Sequence, residues 1–215
     1  MWPKNEKQEK LIQFAKTIAS KIESTSALHD QNATFPHEHF DFMRREGYFR
    51  ASVPIEYGGA GHGLTDLVLA QYEIGTGDGS TAVSIGMHHM VVGTEAESER
   101  WPEALRKRIF TEIVNDGALV NNIASEPDLG SPRGGGRPAT SLTPGRPGKW
   151  ILNGRKTWST LAPQLSYAIT FAAVEDGSGD VARIAQSMGS EGISIEETWD
   201  SMSMRATGSH DIVFA

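Results

Sequence analysis

The sequence contains no cysteine, which excludes a disulfide-stapled scaffold, a thiolate metal site, a CxxC redox pair and a thiol nucleophile. It has no apolar run approaching the roughly 18 residues of a membrane-spanning helix, and the opening MWPKNEKQEK has no apolar core behind its charges. A cytoplasmic protein without a membrane span is therefore expected. Positive charge is also in short supply: 20 Lys and Arg stand against 27 Asp and Glu, a net charge of −7, which weighs against a general nucleic-acid binder. What is present is ordinary globular material. The 215 residues, 38% of them apolar, suffice for two domains that each bury a core without metal or disulfide staples.

One stretch runs against the acidic balance. Arg133, Arg137, Arg146, Lys149, Arg155 and Lys156 follow one another with no Asp or Glu between them. A lone cationic segment in an acidic protein fits an anionic ligand such as a phosphate, and equally fits a solvated loop.

The pattern of apolar residues divides the chain near residue 117. Leu11, Ala15, Ile18 and Ile22 recur every three or four residues and predict a helix from about Glu6 to Glu23. A second helix begins near Thr34 and Pro36 and stops at Gly47, and a third opens at Thr65 or Asp66. A fourth is capped by Ser80 or Thr81, and a fifth runs from Pro102 to Gly117. Beyond Ala118 come short β-favouring runs: 118–125, 149–152, 155–159, 167–174, 192–198 and 211–214. Asn153-Gly154 between two of them is a strong hairpin signal. The expectation is an α+β protein, with an all-helical domain over 1–117 and an antiparallel β-barrel or sandwich over 118–215.

Several motifs fail on inspection. Neither glycine cluster, 58–63 or 75–79, satisfies GxGxxG after a strand, so a dinucleotide fold is not expected. His88 and His89 are adjacent on a helix and project about 100° apart, so they read as packing histidines rather than metal ligands. No metal site is expected.

Two stretches of the β half do carry chemistry. In Ser125-Glu126-Pro127-Asp128-Leu129-Gly130-Ser131 a strand runs into a turn whose amides and hydroxyl can form an anion nest. In Asn153-Gly154-Arg155-Lys156-Thr157-Trp158-Ser159-Thr160 a strand presents a flat apolar wall followed by two hydroxyls, suited to a planar heterocycle with a polar edge. In this order they match the T/S-E-P-x-x-G-S and N-G-x-K-x-W-[IS]-[TS] signatures of one family. The chain resembles the acyl-CoA dehydrogenases, in which an N-terminal helical domain, a middle β domain and a C-terminal helical bundle enclose a flavin. The phrases at 47–61 and 204–214 strengthen the resemblance, which spans essentially all 215 residues.

The resemblance implies the following roles. Ala124 and Ser125 meet the pyrimidine edge of FAD, and Gly130 and Ser131 hold its diphosphate. Trp158 packs against the isoalloxazine, with Ser159 and Thr160 hydrogen-bonding around N5. Ser131, Arg133 and Arg137 face the phosphates or pantetheine of a substrate. It further implies α,β-desaturation of an acyl-CoA in fatty acid metabolism, an electron acceptor such as an electron-transfer flavoprotein, and a homo-oligomer. The general base belongs to the family's C-terminal bundle, which this chain does not contain, so no catalytic base is assigned. Two alternatives stand beside this reading: a flavin-dependent monooxygenase of the same superfamily, which needs no base at Cα, and a non-catalytic or split-enzyme partner module.

Overall fold

The computed structural model describes residues 2–128 and 136–215. Among them no helix is long and apolar enough to cross a membrane. The chain forms two compact units, one of residues 1–119 and 200–207, the other of 120–199 and 208–215.

The helical unit contains five α-helices. Helix α1 (Glu6–Asn32) starts where the Asn5 side chain accepts a hydrogen bond from the Gln8 amide, and it buries Leu11, Ala15, Ile18 and Ile22 along one stripe. Ile18 and Ile22 are fully buried, each contributing about 1.5–3 kcal/mol of apolar transfer. The helix continues nine residues beyond the end expected at Glu23. Its polar last turns are held by side chains: His29 bonds Thr34 at 2.8 Å and Glu38 at 2.6 Å, and Thr25 bonds His39 at 2.7 Å. Helix α2 spans His37–Arg45 and α3 spans Leu64–Gly77. Helix α4 (Gly79–Ser98) is capped by Asp78, whose carboxylate accepts from the amides of Ser80 and Thr81. Helix α5 (Glu103–Asp116) ends at Gly117 in the left-handed conformation.

The second unit is a seven-stranded mixed sheet. Its strands are β1 (Val120–Ile123), β2 (Ser141–Pro144), β3 (Trp150–Ser159), β4 (Tyr167–Val174), β5 (Val181–Ser187), β6 (Ile193–Glu196) and β7 (His210–Phe214). Strand β4 is its centre, antiparallel to β5 along its length and parallel to β1 at one end and β2 at the other. Strands β2, β3, β7 and β6 follow in antiparallel order. The α+β division holds, while two pairings of the sheet are parallel.

Asn153-Gly154 does not turn the chain. It lies inside β3, and the β2–β3 hairpin turns at 145–149, where the Gly145 amide donates to the Lys149 carbonyl at 3.0 Å. Gly154 has φ of 146°, and a Cβ there would fall 2.7 Å from the Thr140 Cα. Its missing side chain makes room for a neighbouring strand rather than for a reverse turn.

Candidate functional site

The β unit gathers the two sequence signatures side by side. As the chain leaves β1, the Ser125 carbonyl accepts from the Thr157 amide of β3 at 2.9 Å. The next residue, Glu126, turns inward and is buried. Its Oε1 accepts from Lys156 Nζ at 2.7 Å, from the Thr140 amide at 3.0 Å and from the Thr140 hydroxyl at 2.6 Å. Its Oε2 accepts from the Ala139 amide at 2.7 Å. Burial pushes the Glu126 carboxyl up, but these hydrogen bonds, Lys156 first, outweigh it and hold the group at about 2. Lys156, with no exposed side chain, also donates to the Phe171 carbonyl at 2.9 Å. Burial lowers its pKa and Glu126 partly restores it.

Two residues beyond Lys156 the strand breaks its pairing. The register between β3 and β7 shifts between Lys156 and Ser159, a bulge that re-aims the chain. Trp158 sits at the bulge with φ of 54°, a left-handed conformation costing a non-glycine residue on the order of 1–2 kcal/mol. Its indole is 63% exposed. An aromatic side chain held largely in water by a strained backbone is a surface suited to contact.

The two hydroxyls after it part company. Ser159 points inward, 1% exposed, with no partner for its Oγ among the described residues. Thr160 is half-buried, its hydroxyl 2.9 Å from that of Ser209 and its carbonyl accepting from Asn121 Nδ2 at 2.8 Å. Behind the strand, Asp211 accepts from the Thr157 hydroxyl at 2.7 Å and from Arg155 Nε at 2.6 Å. Burial raises the Asp211 pKa, but the Thr157 and Arg155 contacts outweigh it and hold the carboxyl below its ordinary value. Both carboxylates beside the platform are thus committed to structure.

Ala124 and Ser125, just past the end of β1, are therefore tied to the end of β3 that carries Trp158, with Thr160 just beyond it and Ser159 turned inward. Arg137 is engaged elsewhere: its guanidinium donates to the carbonyls of Gly179 and Val174 and to Glu175, at the turn between β4 and β5. Gly130, Ser131 and Arg133 lie outside the described residues. Sequence reasoning missed Asn121, Thr140 and Ser209, ordinary polar residues whose contacts arise only on folding. It also passed over the pairing of Glu126 with Lys156, although both stand inside the quoted motifs.

The platform fits a flavin. A tricyclic ring needs a flat apolar wall and hydrogen-bonding groups along one edge, and the exposed Trp158 with half-buried Ser125 and Thr160 supplies both. Residues 5–114 match the model of the acyl-CoA dehydrogenase N-terminal domain, and residues 122–215 match that of the middle domain. The chain belongs to the acyl-CoA dehydrogenase family. It is 38% identical over 209 residues to YdbM of Bacillus subtilis, a protein carrying an acyl-CoA dehydrogenase name, covering 97% of this chain and 54% of that one. It is 30% identical over 227 residues to the amino sugar nitrososynthase DnmZ of Streptomyces peucetius, covering 99% and 52%. The solved structure of KijD3 with FMN and dTDP-3-amino-2,3,6-trideoxy-4-keto-3-methyl-D-glucose superposes with a TM-score of 0.89 at 29% identity, over 99% of this chain and 52% of that one. The chain thus spans about half the length of the curated relatives it matches.

These relatives correct part of the sequence reading. KijD3 carries FMN rather than FAD, and its partner molecule is a nucleotide sugar rather than an acyl-CoA. Two further relatives, at 28% and 26% identity, are also nitrososynthases. FAD as cofactor, acyl-CoA desaturation, fatty acid metabolism and the electron-transfer flavoprotein partner are accordingly set aside. The error has a physical source. The resemblance assigns Ser125, Trp158 and Thr160 to the isoalloxazine, which FMN and FAD share, and assigns none of these three to the substrate.

The helical unit holds a separate concavity of about 490 Å³ beside α3 and α4, lined by apolar residues and by the polar side chains of Ser52, His62, Gln71, His89, Thr94 and Glu97. His88 is a packing residue whose Nε2 donates to the Phe49 carbonyl at 2.9 Å. His89 Nδ1 lies 2.9 Å from the Ser52 hydroxyl, and its Nε2 has no partner among the described residues. Burial, then the neighbouring His88 and His62, keeps His89 neutral, with its pKa well below the usual imidazole value. His29, Glu38 and His39 also approach one another. Every ring nitrogen there is already bonded, since His39 reaches Thr81 at 2.8 Å as well as Thr25, and the cluster reads as a bracket between helices.

Proposed function

We propose that this chain forms the flavin-bearing part of an FMN-dependent monooxygenase that oxidises the amino group of a nucleotide-linked amino sugar. The observation that carries the flavin is the strained, exposed Trp158 beside Thr160 and Ser125. The substrate class is supported by the nitrososynthase relatives and by the ligands of KijD3. When bound, reduced FMN would supply two electrons that, with dioxygen and two protons, would place one oxygen atom on the substrate nitrogen and release the other as water.

The chain's own residues do the positioning. Trp158 gives the ring a rigid wall and excludes water from one side. Thr160 and Ser125 offer donors at the polar edges, where reduction builds up charge. Asn121 and Ser209 fix the Thr160 carbonyl and hydroxyl, so that the edge is set before any ligand arrives. Glu126 and Asp211 take no proton from substrate, because their oxygens are occupied by Lys156, Thr140, Ala139, Thr157 and Arg155. A reaction that needs no carboxylate base from this unit is consistent with that arrangement.

The test is a pair of reactions. Oxygen uptake with reduced FMN should be coupled to oxidation of an amino-sugar nucleotide. Anaerobic mixing of the FMN-loaded chain with acyl-CoA thioesters should leave the flavin oxidised. Bleaching of the flavin by an acyl-CoA alone would reject the proposal.

A further inference from the structure

The pair formed by Glu126 and Lys156 is expensive for a protein that merely needs to fold. Two charges with side chains 5% and 0% exposed lose hydration that their mutual attraction seldom returns in full, and apolar replacements of such pairs are often neutral or stabilising. The pair also does more than neutralise itself. Glu126 uses both oxygens to hold four donors, and Lys156 reaches a third strand through the Phe171 carbonyl. Both members of the pair are close in sequence to the platform. Glu126 directly follows Ser125, whose carbonyl accepts from Thr157. Lys156 stands at the start of the bulge, two residues before Trp158. Thr140 occupies the space left by Gly154, whose Cβ would otherwise meet the Thr140 Oγ1 at 2.7 Å.

We infer that Glu126 and Lys156 are positioning residues that set the register between the two halves of the ligand platform, Ala124–Ser125 and Trp158–Thr160, and hold Trp158 in its left-handed conformation. This rests on the flavin reading above. The pair touches no ligand itself. It acts through the strand ends, fastening the residues after β1 to β3 and, through the Phe171 carbonyl, to β4. A strained residue persists only where its surroundings over-determine it, and a buried multidentate pair is directional where apolar packing is not.

The experiment compares the wild-type chain with Lys156→Met, the double variant Glu126→Gln/Lys156→Met and the milder Thr140→Val, by thermal unfolding, FMN titration and visible circular dichroism of bound FMN. Lys156→Met should lower the melting temperature and weaken FMN binding at least tenfold, with an altered dichroic band. The double variant, free of any buried charge, should recover melting temperature while FMN affinity stays at least fivefold weak. Thr140→Val should weaken FMN about threefold without loss of fold. Recovery of FMN affinity to within twofold of wild type in the double variant would overturn the inference, because a purely structural pair restores both together. Unchanged affinity in Thr140→Val, should the other variants fail to fold, would overturn it as well. If the wild-type chain takes up no FMN, the flavin reading fails, and the positioning role is read without flavin. Amide exchange over 155–161 should then be faster in Lys156→Met than in Ile169→Val, a buried β4 control matched for melting temperature. Equal exchange would overturn it.

Discussion

Trp158 concentrates the argument at the scale of single residues. A large aromatic side chain, 63% exposed at a positive φ, gains nothing from its own burial and needs support from its neighbours. Trp158→Ala should relieve backbone strain only slightly, since alanine meets the same Cβ clash, yet it removes the wall on which a ring can lie. FMN affinity is expected to fall at least tenfold with little change in melting temperature, while Trp158→Phe should retain most of the binding. Fluorescence titration checks both. Gly154 is the opposite case, a residue important for what it omits. Gly154→Ala would drive a Cβ to 2.7 Å from the Thr140 Cα, and overpacking of this kind costs about 1–3 kcal/mol. Chemical denaturation should show the loss, with weaker FMN binding because Thr140 cannot then reach Glu126. The dipeptide Asn153-Gly154 reads as a turn from its own chemistry, since nothing local distinguishes a glycine needed for φ from one needed for close approach.

Among elements, caps and charged clasps carry predictions that depend on pH. Glu126 is held at about 2 in the folded chain against an ordinary 4.5. A carboxyl with a depressed folded pKa contributes stability that is present above the unfolded value and is lost as pH falls toward the folded one. Stability should therefore decline between pH 4.5 and about 2, and Glu126→Gln should flatten that part of the profile. His89 works at a higher pH. Buried and neutral, with its pKa well below the usual 6.5, it leaves the unfolded chain to take up the proton, so stability should fall as pH drops below 6.5. His89→Gln should remove part of that slope, as urea titrations at pH 7 and pH 5 would show. At the start of α4, Asp78→Ala should cost about 1 kcal/mol through loss of the cap on the Ser80 and Thr81 amides. Ser80 and Thr81 are themselves reasonable cap residues, and only the chain path shows that Asp78 performs the role. The five helices were legible because start and stop residues bracket recurring apolar positions. Strands β2 and β5 were not, since Ser141–Pro144 and Val181–Ser187 alternate weakly and owe their existence to β3 and β4.

For the whole molecule, family and function separate. Order of motifs along the chain was enough to place it in the acyl-CoA dehydrogenase family, because Ser125-Glu126-Pro127 and Lys156-Thr157-Trp158 sit where the fold must bring two strands together. It was not enough to name the chemistry. The residues that the resemblance assigns to a flavin ring would serve equally whether the flavin carries one phosphate or an adenylate, and whether it is reduced by a thioester or reacts with oxygen. Arg133 and Arg137 promised information about the substrate, but Arg137 closes the β4–β5 turn and Arg133 lies outside the described residues. The central claim is that Trp158 and Thr160 present a platform for FMN. Titration of FMN into the wild-type chain and into Trp158→Ala, followed by flavin fluorescence, tests it most directly. Saturable quenching in the wild type that is lost in the variant is the result predicted here; no quenching, or quenching indifferent to Trp158, would contradict it.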